Sequence, residues 1–576
     1  MLARIVLLGI ADTHTHPCSQ LGLGGVVYGD PATPLGVLGP CDGAAHGGGY
    51  ELLDGALDVS RQVVWQATAP SLRLPDESHH PDGAPSFGHW PRWDDGTHQQ
   101  YHQEWIHRAY NGGLRLMAAL AVNNQLLSRL MGADRELLDG DAIDQQLAAI
   151  GRLVAANPFM EIARSPAELR RIVGREDRLA VVLGVEVDQL ERYHPEPPPD
   201  PVAPGALAGW VDDLVTRLYD AGVRQVTPLH LSDNLFGGFA LYGNSTLFSA
   251  TYNPFNASNH YLHGRYVEVE PDPALEFRLP REQLRLDLTE DPAGAFHLDT
   301  VGAYDSDPGH GHRNARGLTP AGTLLIQALL RCGMIVDVDH MGAKTMAATL
   351  AIAETTGYPL LSSHTSFRDL AIPASDPDGY RDPGGPGAAR LGPVPSELAI
   401  SDQTVQRLRR LGGMVSPGLA QPGNVRVTLG RQADTPAHSP IMWASSYLHA
   451  TRLMRGAGVG LATDFTLTPS CGPRFGQGLV YPGPQQPRNP QRHPVAYGTP
   501  RPPHAADRLR PCVAGSRRFD INTDGLAHFG LLPDLLQDVA NLGVRPEDLI
   551  PLWGSVEAYA TMWERCLKIS AERGQG

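Results

Sequence analysis

Two histidines, His340 and His364, each close a short apolar run, MIVDVDH and YPLLSSH, on either side of the helical stretch KTMAATLAIAET. Strand, helix and strand in that order make a parallel crossover, which puts both strand ends on one edge of a sheet. Two imidazoles facing each other there suit a metal ion. Other apolar runs end in polar residues in the same way: His14 and His16 in IADTHTH, Glu186 in VVLGVEVD, His230 in VTPLH and Asp464 in VGLATDF. His14 and His16, two apart on a strand, project to one side and can chelate one ion. A carboxylate in so apolar a context as Glu186 is rarely left unpaired. Taken singly, each also has an ordinary reading, as a solvated loop histidine or a surface carboxylate. Taken together they supply nitrogen and oxygen donors with no thiolate, which suits zinc or another borderline divalent ion. Four histidines and a bridging glutamate could hold two metals, leaving a bridging water deprotonated near neutral pH. Asp464 beside that water could take its proton and return it to a leaving nitrogen.

The elements that must position these residues follow from the order of the runs. Buried strands are expected in ARIVLLGIADTHTH, LRLMAALAVN, RLAVVLGVEVD, VRQVTPLH, MIVDVDH, YPLLSSH, MVSPGLA and VGLATDF, most of them preceded by a helical stretch. Eight strands alternating with helices predict a (β/α)8 TIM barrel, whose chemistry collects where strands end. Three Gly- and Pro-rich stretches, at roughly 21–99, 231–316 and 469–511, read as large loop insertions on a single domain spanning residues 1–576. Within them, His46, His79, His80 and His89 have no regular spacing and are expected on the surface. The stretch YVEVEPDPALEFRLPREQLRLDL is expected to form a hairpin, and the GHGH that ends at His312 a solvated loop. Thr319 before Pro320 marks the start of a capped helix.

The net charge of −15 and the absence of a basic stripe argue against a nucleic-acid surface. The only lysines are Lys344 and Lys568, neither at a strand end, so any residue bridging two metals should be an ordinary carboxylate. Six scattered cysteines carry neither zinc-ribbon spacing nor disulfide density and read as mostly reduced, Cys471 and Cys512 being the one pair considered. No run approaches a membrane span. MLARIVLLGIA resembles a very short signal peptide but runs straight into DTHTH, so it is read as the first strand, with a cytoplasmic location preferred to secretion.

DTHTH, LGVEVD, VTPLH, GLTPAGTLLIQALLRCGMIVDVDHMGAKT, PLLSSHTS, VGLATDF and, more weakly, GLAHFGLLPDLLQDV together resemble the amidohydrolase superfamily, and within it the membrane (renal) dipeptidase family of binuclear zinc peptidases. The resemblance implies that His14, His16 and Glu186 bind a first metal and Glu186, His340 and His364 a second, both expected to be Zn2+. It implies that Asp464 is the acid/base residue at the metal centre, and that His230 polarises the scissile carbonyl and steadies its oxyanion. A small-molecule substrate, a dipeptide or N-acyl amino acid cleaved at its amide bond, and a homodimer are further implications. Two departures bear on specificity. The family carries His-x-Asp at the first strand, where His16 stands here. It also carries a substrate-binding arginine after the sixth strand, where this chain offers Glu397 or Leu398, with Arg368 and Arg390 as substitutes. Hydrolysis of a lactone, ester or β-lactam on the same centre, and a non-catalytic metal-binding barrel, are the alternatives.

Overall fold

The computed structural model describes residues 6–25, 27–40, 83–88, 90–93, 98–124, 138–199, 204–241, 267–277, 282–287, 297–303, 310–372, 395–419, 425–429, 439–465, 470–474, 494–497 and 509–573. The fold is mixed α/β around a curled parallel sheet. Its strands are β1 (Ile10–Thr15), β2 (Leu114–Asn123), β3 (Met160–Ile162), β4 (Leu179–Val187), β5 (Gln225–Thr227) and β10 (Ile335–Val336), and a separate parallel pair, β11 (Leu361–Thr365) and β12 (Met414–Pro417), continues its direction. The intervening β6 (Val269–Asp272), β7 (Glu282–Asp287), β8 (His297–Ala303) and β9 (Gly311–Asn314) lie outside it.

The main sheet runs β1-β2-β4-β5-β10, all parallel, with β3 also paired to β4. β2 and β4 are buried along almost their whole length, as their unbroken apolar sequences require of strands covered on both faces. Gly184 allows β5 to approach, since a Cβ there would meet the Gln225 carbonyl and Leu120 Cγ, each at 2.9 Å. Further parallel bridges join Asp337 to Leu361, Val415 to Val459, Gly418 to Ala462 and Leu461 to Asp12. The curl is visible in hydrogen bonds that cross the interior: Gln225 Nε2 on β5 donates to the Thr13 carbonyl on β1, at 3.0 Å, and Thr13 Oγ1 donates to the Ser363 carbonyl on β11, at 2.7 Å.

Helices α1 (Gln103–Asn111), α2 (Asp139–Ala156), α3 (Pro166–Gly174), α4 (Pro204–Asp220), α5 (Pro320–Arg331), α6 (Ala343–Glu354), α7 (Asp402–Leu411) and α8 (Pro440–Met454) connect the strands. Thr319 caps α5 as expected, its side chain accepting from Gly322 N at 2.9 Å, a contact worth about 1 kcal/mol. The C-terminal helix Ser555–Arg573 closes the base of the sheet, and its buried Tyr559 hydroxyl donates to Gln225 Oε1 at 2.9 Å. No helix among the described residues is long and apolar enough to cross a membrane.

Several strands are shorter than their apolar runs. β1 begins only at Ile10, because the amide of Gly9 is taken by the Trp553 carbonyl. β5 stops at Thr227, before Pro228, which has no N–H to offer a ladder. The 459–462 run pairs only through isolated bridges, and the next amide, Thr463 N, turns instead to the Asp12 carboxylate.

The expected hairpin within residues 266–288 is not formed. β6 pairs antiparallel with β9, and β7 with β8, so each strand finds its partner further along the chain. Ion pairs from Arg313 to Glu270 and Asp272 fix the first of these pairings. The GHGH segment is correspondingly no solvated loop: His312 lies in β9, is buried, and its amide donates to the Phe277 carbonyl. Cys471 and Cys512 are separate, buried free thiols. His46, His79, His80 and His89 fall outside the described residues.

Candidate metal centre

Parallel strands deliver their last residues to one rim, and the polar tips meet there. On β1, alternation puts His14 and the following His16 on the same side, with their Nε2 atoms 3.0 Å apart. From β4, Glu186 Oε2 lies 2.9 Å from His14 Nε2 and 3.3 Å from His16 Nε2. Its other oxygen, Oε1, lies 3.4 Å from His340 Nε2 and 3.8 Å from His364 Nε2. His340 and His364 approach each other to 2.7 Å between Nε2 atoms. Asp464 Oδ1 is 3.3 Å from His16 Nε2 and 3.9 Å from His14 Nε2. His230 Nε2 is 3.9 Å from Glu186 Oε2, and its ring meets that of His340 edge-on at 4.9 Å. All seven residues singled out in the sequence therefore share one cluster.

Two of them stand on unusual backbone. His340 and Asp464 have φ of 62° and 46°, in the left-handed region that non-glycine residues seldom occupy. His340 is held there by its own carbonyl, which accepts from Ala240 N at 2.8 Å, and Asp464 by its amide, which donates to the His14 carbonyl at 3.1 Å. Such conformations persist only where the surroundings impose them.

The donor set fits divalent cations. Two groups that share Glu186, His14–His16–Glu186 and Glu186–His230–His340, each bring their ligand atoms within 4.8 Å of one another. Glu186 Oε1 is buried without a hydrogen-bond partner, the condition of an oxygen whose partner is an ion. The far side of the rings is already engaged. His16 Nδ1 donates to the Leu120 carbonyl at 3.1 Å, and the Nδ1 atoms of His14 and His364 both contact Ser363 Oγ. This leaves Nε2 as the atom presented to the cluster, the arrangement metal-binding imidazoles adopt.

The charge balance agrees. Burial alone would raise the Glu186 carboxyl, but positive charge at His14 and His230 and hydrogen bonds from His14 and His16 hold it well below the usual carboxylate range. Burial opposes a proton on His16, yet hydrogen bonds that it donates to Asp464 and Glu186 raise it to about 10. Burial and the neighbouring charge of His14 keep His364 well below the usual histidine range. The site gathers positive charge, which cations would supply in place of protons.

Sequence reasoning missed the carboxylates behind the imidazoles. Asp188 Oδ1 lies 3.1 Å from His230 Nδ1, off the line of a hydrogen bond, and accepts from Leu231 N at 3.0 Å. Asp339 Oδ2 lies 3.4 Å from His364 Nδ1, and Asp12 accepts from Thr463 beside Asp464. Each interrupts an otherwise apolar strand or strand end, a signal already present in DVDH and GVEVD.

The residues considered for the substrate carboxylate differ in fate. Glu397 is buried and accepts from the amides of Leu241, Asn314 and Ala343, so it braces the second insertion against α6. Arg368 Nε donates to the Ala399 carbonyl at 3.2 Å, while Arg390 falls outside the described residues.

Residues 299–375, which hold both His340 and His364, match the profile of the membrane dipeptidase family, peptidase family M19. No curated protein matches the chain. Among solved structures, it is similar to a metallopeptidase from Rhodobacter sphaeroides liganded with a phosphinate mimic of the dipeptide L-Ala-D-Ala. That likeness has 12% identity and a TM-score of 0.42, and covers 97% of this chain and 99% of the other. It is also similar to the probable dipeptidase PvdM from Pseudomonas aeruginosa, at 13% identity and a TM-score of 0.41 over 82% and 89% of the two chains. A third likeness is to an amidohydrolase from the same organism, at 13% identity and a TM-score of 0.39 over 81% and 93%. The family match falls on the stretch that carries His340 and His364, and over that stretch the chain is similar to the membrane dipeptidases.

Proposed function

We propose that this chain is a binuclear metal-dependent hydrolase that cleaves the amide bond of a dipeptide or N-acyl amino acid. The observation that carries this reading is the two-sided placement of Glu186, with one oxygen toward His14 and His16 and the other toward His340 and His364. In this reading His14, His16 and Glu186 hold one cation, Glu186, His340 and His364 the other, and Asp464 borders the first. Two Zn2+ ions bound there would lower the pKa of a shared water and polarise the substrate carbonyl. Asp464, a quarter exposed at the cluster's edge, takes the water's proton and returns it to the leaving nitrogen. His230 donates from Nε2 to the developing oxyanion, with the Asp188 carboxylate 3.1 Å behind its Nδ1.

The scaffold in this reading is a closed (β/α)8 barrel forming one domain over residues 1–576. The parallel bridges from β10 to β11, from β12 to 459–462 and from there to β1 support closure.

The test is to measure bound metal and then assay the Zn2+-loaded protein on dipeptides, N-acyl amino acids, lactones and β-lactams. Two equivalents of metal with turnover of dipeptides or N-acyl amino acids is the expected result. Turnover confined to lactones or β-lactams, or no bound metal, would overturn it.

A further inference from the structure

Ser363 immediately precedes His364 on β11 and is fully buried. Its Oγ donates to Asp337 Oδ2, and it lies 2.7 Å from His14 Nδ1 and 2.9 Å from His364 Nδ1. A serine hydroxyl has one hydrogen to give and two lone pairs to receive. With the hydrogen committed to Asp337, both imidazoles must present an N–H at Nδ1. The one atom each ring then has left for a cation is Nε2.

Those Nε2 atoms sit in opposite halves of the cluster. That of His14 faces Glu186 Oε2, and that of His364 faces His340 Nε2 at 2.7 Å. The two rings lie close together, with centroids 3.8 Å apart and planes tilted by 37°. Asp337 is itself fixed: its Oδ1 accepts from the amides of Ser363 and Asp339, each at 3.2 Å, and its Oδ2 lies 3.3 Å from Thr227 Oγ1 on β5. One hydroxyl, anchored through a carboxylate to three strands' worth of backbone and side chain, thus touches a ligand from each proposed metal position.

We propose that Ser363, held by Asp337, is a positioning residue that sets the tautomer and orientation of His14 and His364 together and so couples the loading of the two metal positions. This rests on the binuclear reading above, but it makes a claim about the metal-free protein too. Without Ser363, each ring loses the acceptor that keeps its hydrogen on Nδ1, and both metal positions should weaken at once rather than one alone.

The experiment uses the full chain labelled with 15N-histidine, with the two rings assigned through His14→Gln and His364→Gln. In the metal-free wild type, both Nδ1 atoms should carry hydrogen. In Ser363→Ala, that preference should disappear at both rings, and calorimetric titration with Zn2+ should show both equivalents weakened by roughly 10- to 100-fold. Ser363→Thr, which keeps the hydroxyl, should restore both. A wild-type His14 or His364 with its hydrogen on Nε2 alone overturns the proposal without recourse to any variant. So does Ser363→Ala that weakens one equivalent and spares the other. Failure of the wild type to bind Zn2+ would overturn the binuclear reading and the coupling with it. Zn2+ uptake without amide turnover would instead remove only the substrate assignment.

Discussion

Nε2 of His340 lies 2.7 Å from Nε2 of His364. Two imidazole nitrogens can share that distance only with a proton between them or a cation beside them. His364 already points Nδ1 at Ser363, whereas His340 Nδ1 is buried with no hydrogen-bond partner. The pair is therefore prepared at one nitrogen of each ring and closed to water at the others.

From this follows a contrast between losing a terminal ligand and losing the shared one. His364→Ala should reduce bound metal from two equivalents to one, because His14, His16 and Glu186 remain. Glu186→Gln should weaken both, each by about 100-fold, since a neutral amide serves neither pair as the carboxylate does. Metal content after dialysis against a graded series of chelator concentrations reads the difference directly. Equal losses in the two variants would mean that Glu186 does not bridge.

The strand ends were legible because a polar residue closing an apolar run is costly unless something pairs with it. That logic located His14, Glu186, His340 and His364 in or just beyond the ends of parallel strands before any contact was known, and it placed α5 through Thr319. It could not see strand pairing across long insertions. β6 reaches past the intervening residues to β9, and the ion pairs from Arg313 that select this partner have no local signature. Nor could it separate ligands from their supports. Asp337 and Asp339 alternate with apolar residues in VDVDH, yet only coordinates show that they stand behind His14 and His364 rather than among the donors.

His230 tests the boundary between ligand and polariser. It falls within ligand reach of Glu186 and His340, while Asp188 lies behind its other nitrogen. If it acts on the substrate carbonyl, His230→Ala should keep two equivalents of metal and lower kcat by on the order of 10²- to 10³-fold, the usual cost of removing an oxyanion donor. Loss of one equivalent in that variant would instead make His230 a ligand.

Glu397 gives the fold a pH dependence of unusual sign. Burial pushes its carboxyl up from 4.5 to about 7, against the three amides it accepts from and the charge of Arg368. The folded state then binds this proton more tightly than the unfolded chain. The stability contributed is full below pH 4.5 and is lost as pH rises through about 7. Between those limits the wild type should lose about 3 kcal/mol relative to Glu397→Gln, which cannot titrate. Urea unfolding of both proteins at about pH 5 and about pH 8 measures the change. A difference that stays constant with pH would show that Glu397 is ionised throughout.

In the proposed mechanism Asp464 carries the proton transfer that the metal ligands cannot. Its Oδ1 reaches His16 Nε2 at 3.3 Å, and its left-handed backbone is held by the His14 carbonyl and by the Asp12 carboxylate, which accepts from Thr463. The side chain is thus aimed by β1, the strand that supplies the two adjacent histidines, and it stays partly open to the cleft. Asparagine preserves that shape but cannot accept a proton from water. Asp464→Asn should therefore retain at least the metal held by Glu186, His340 and His364 while kcat for amide hydrolysis falls by roughly 10²- to 10⁴-fold. Single-turnover rates on metal-loaded wild type and variant, read with metal content on the same samples, separate loss of the base from loss of the ion. Undiminished turnover in the variant would remove Asp464 from the proton path.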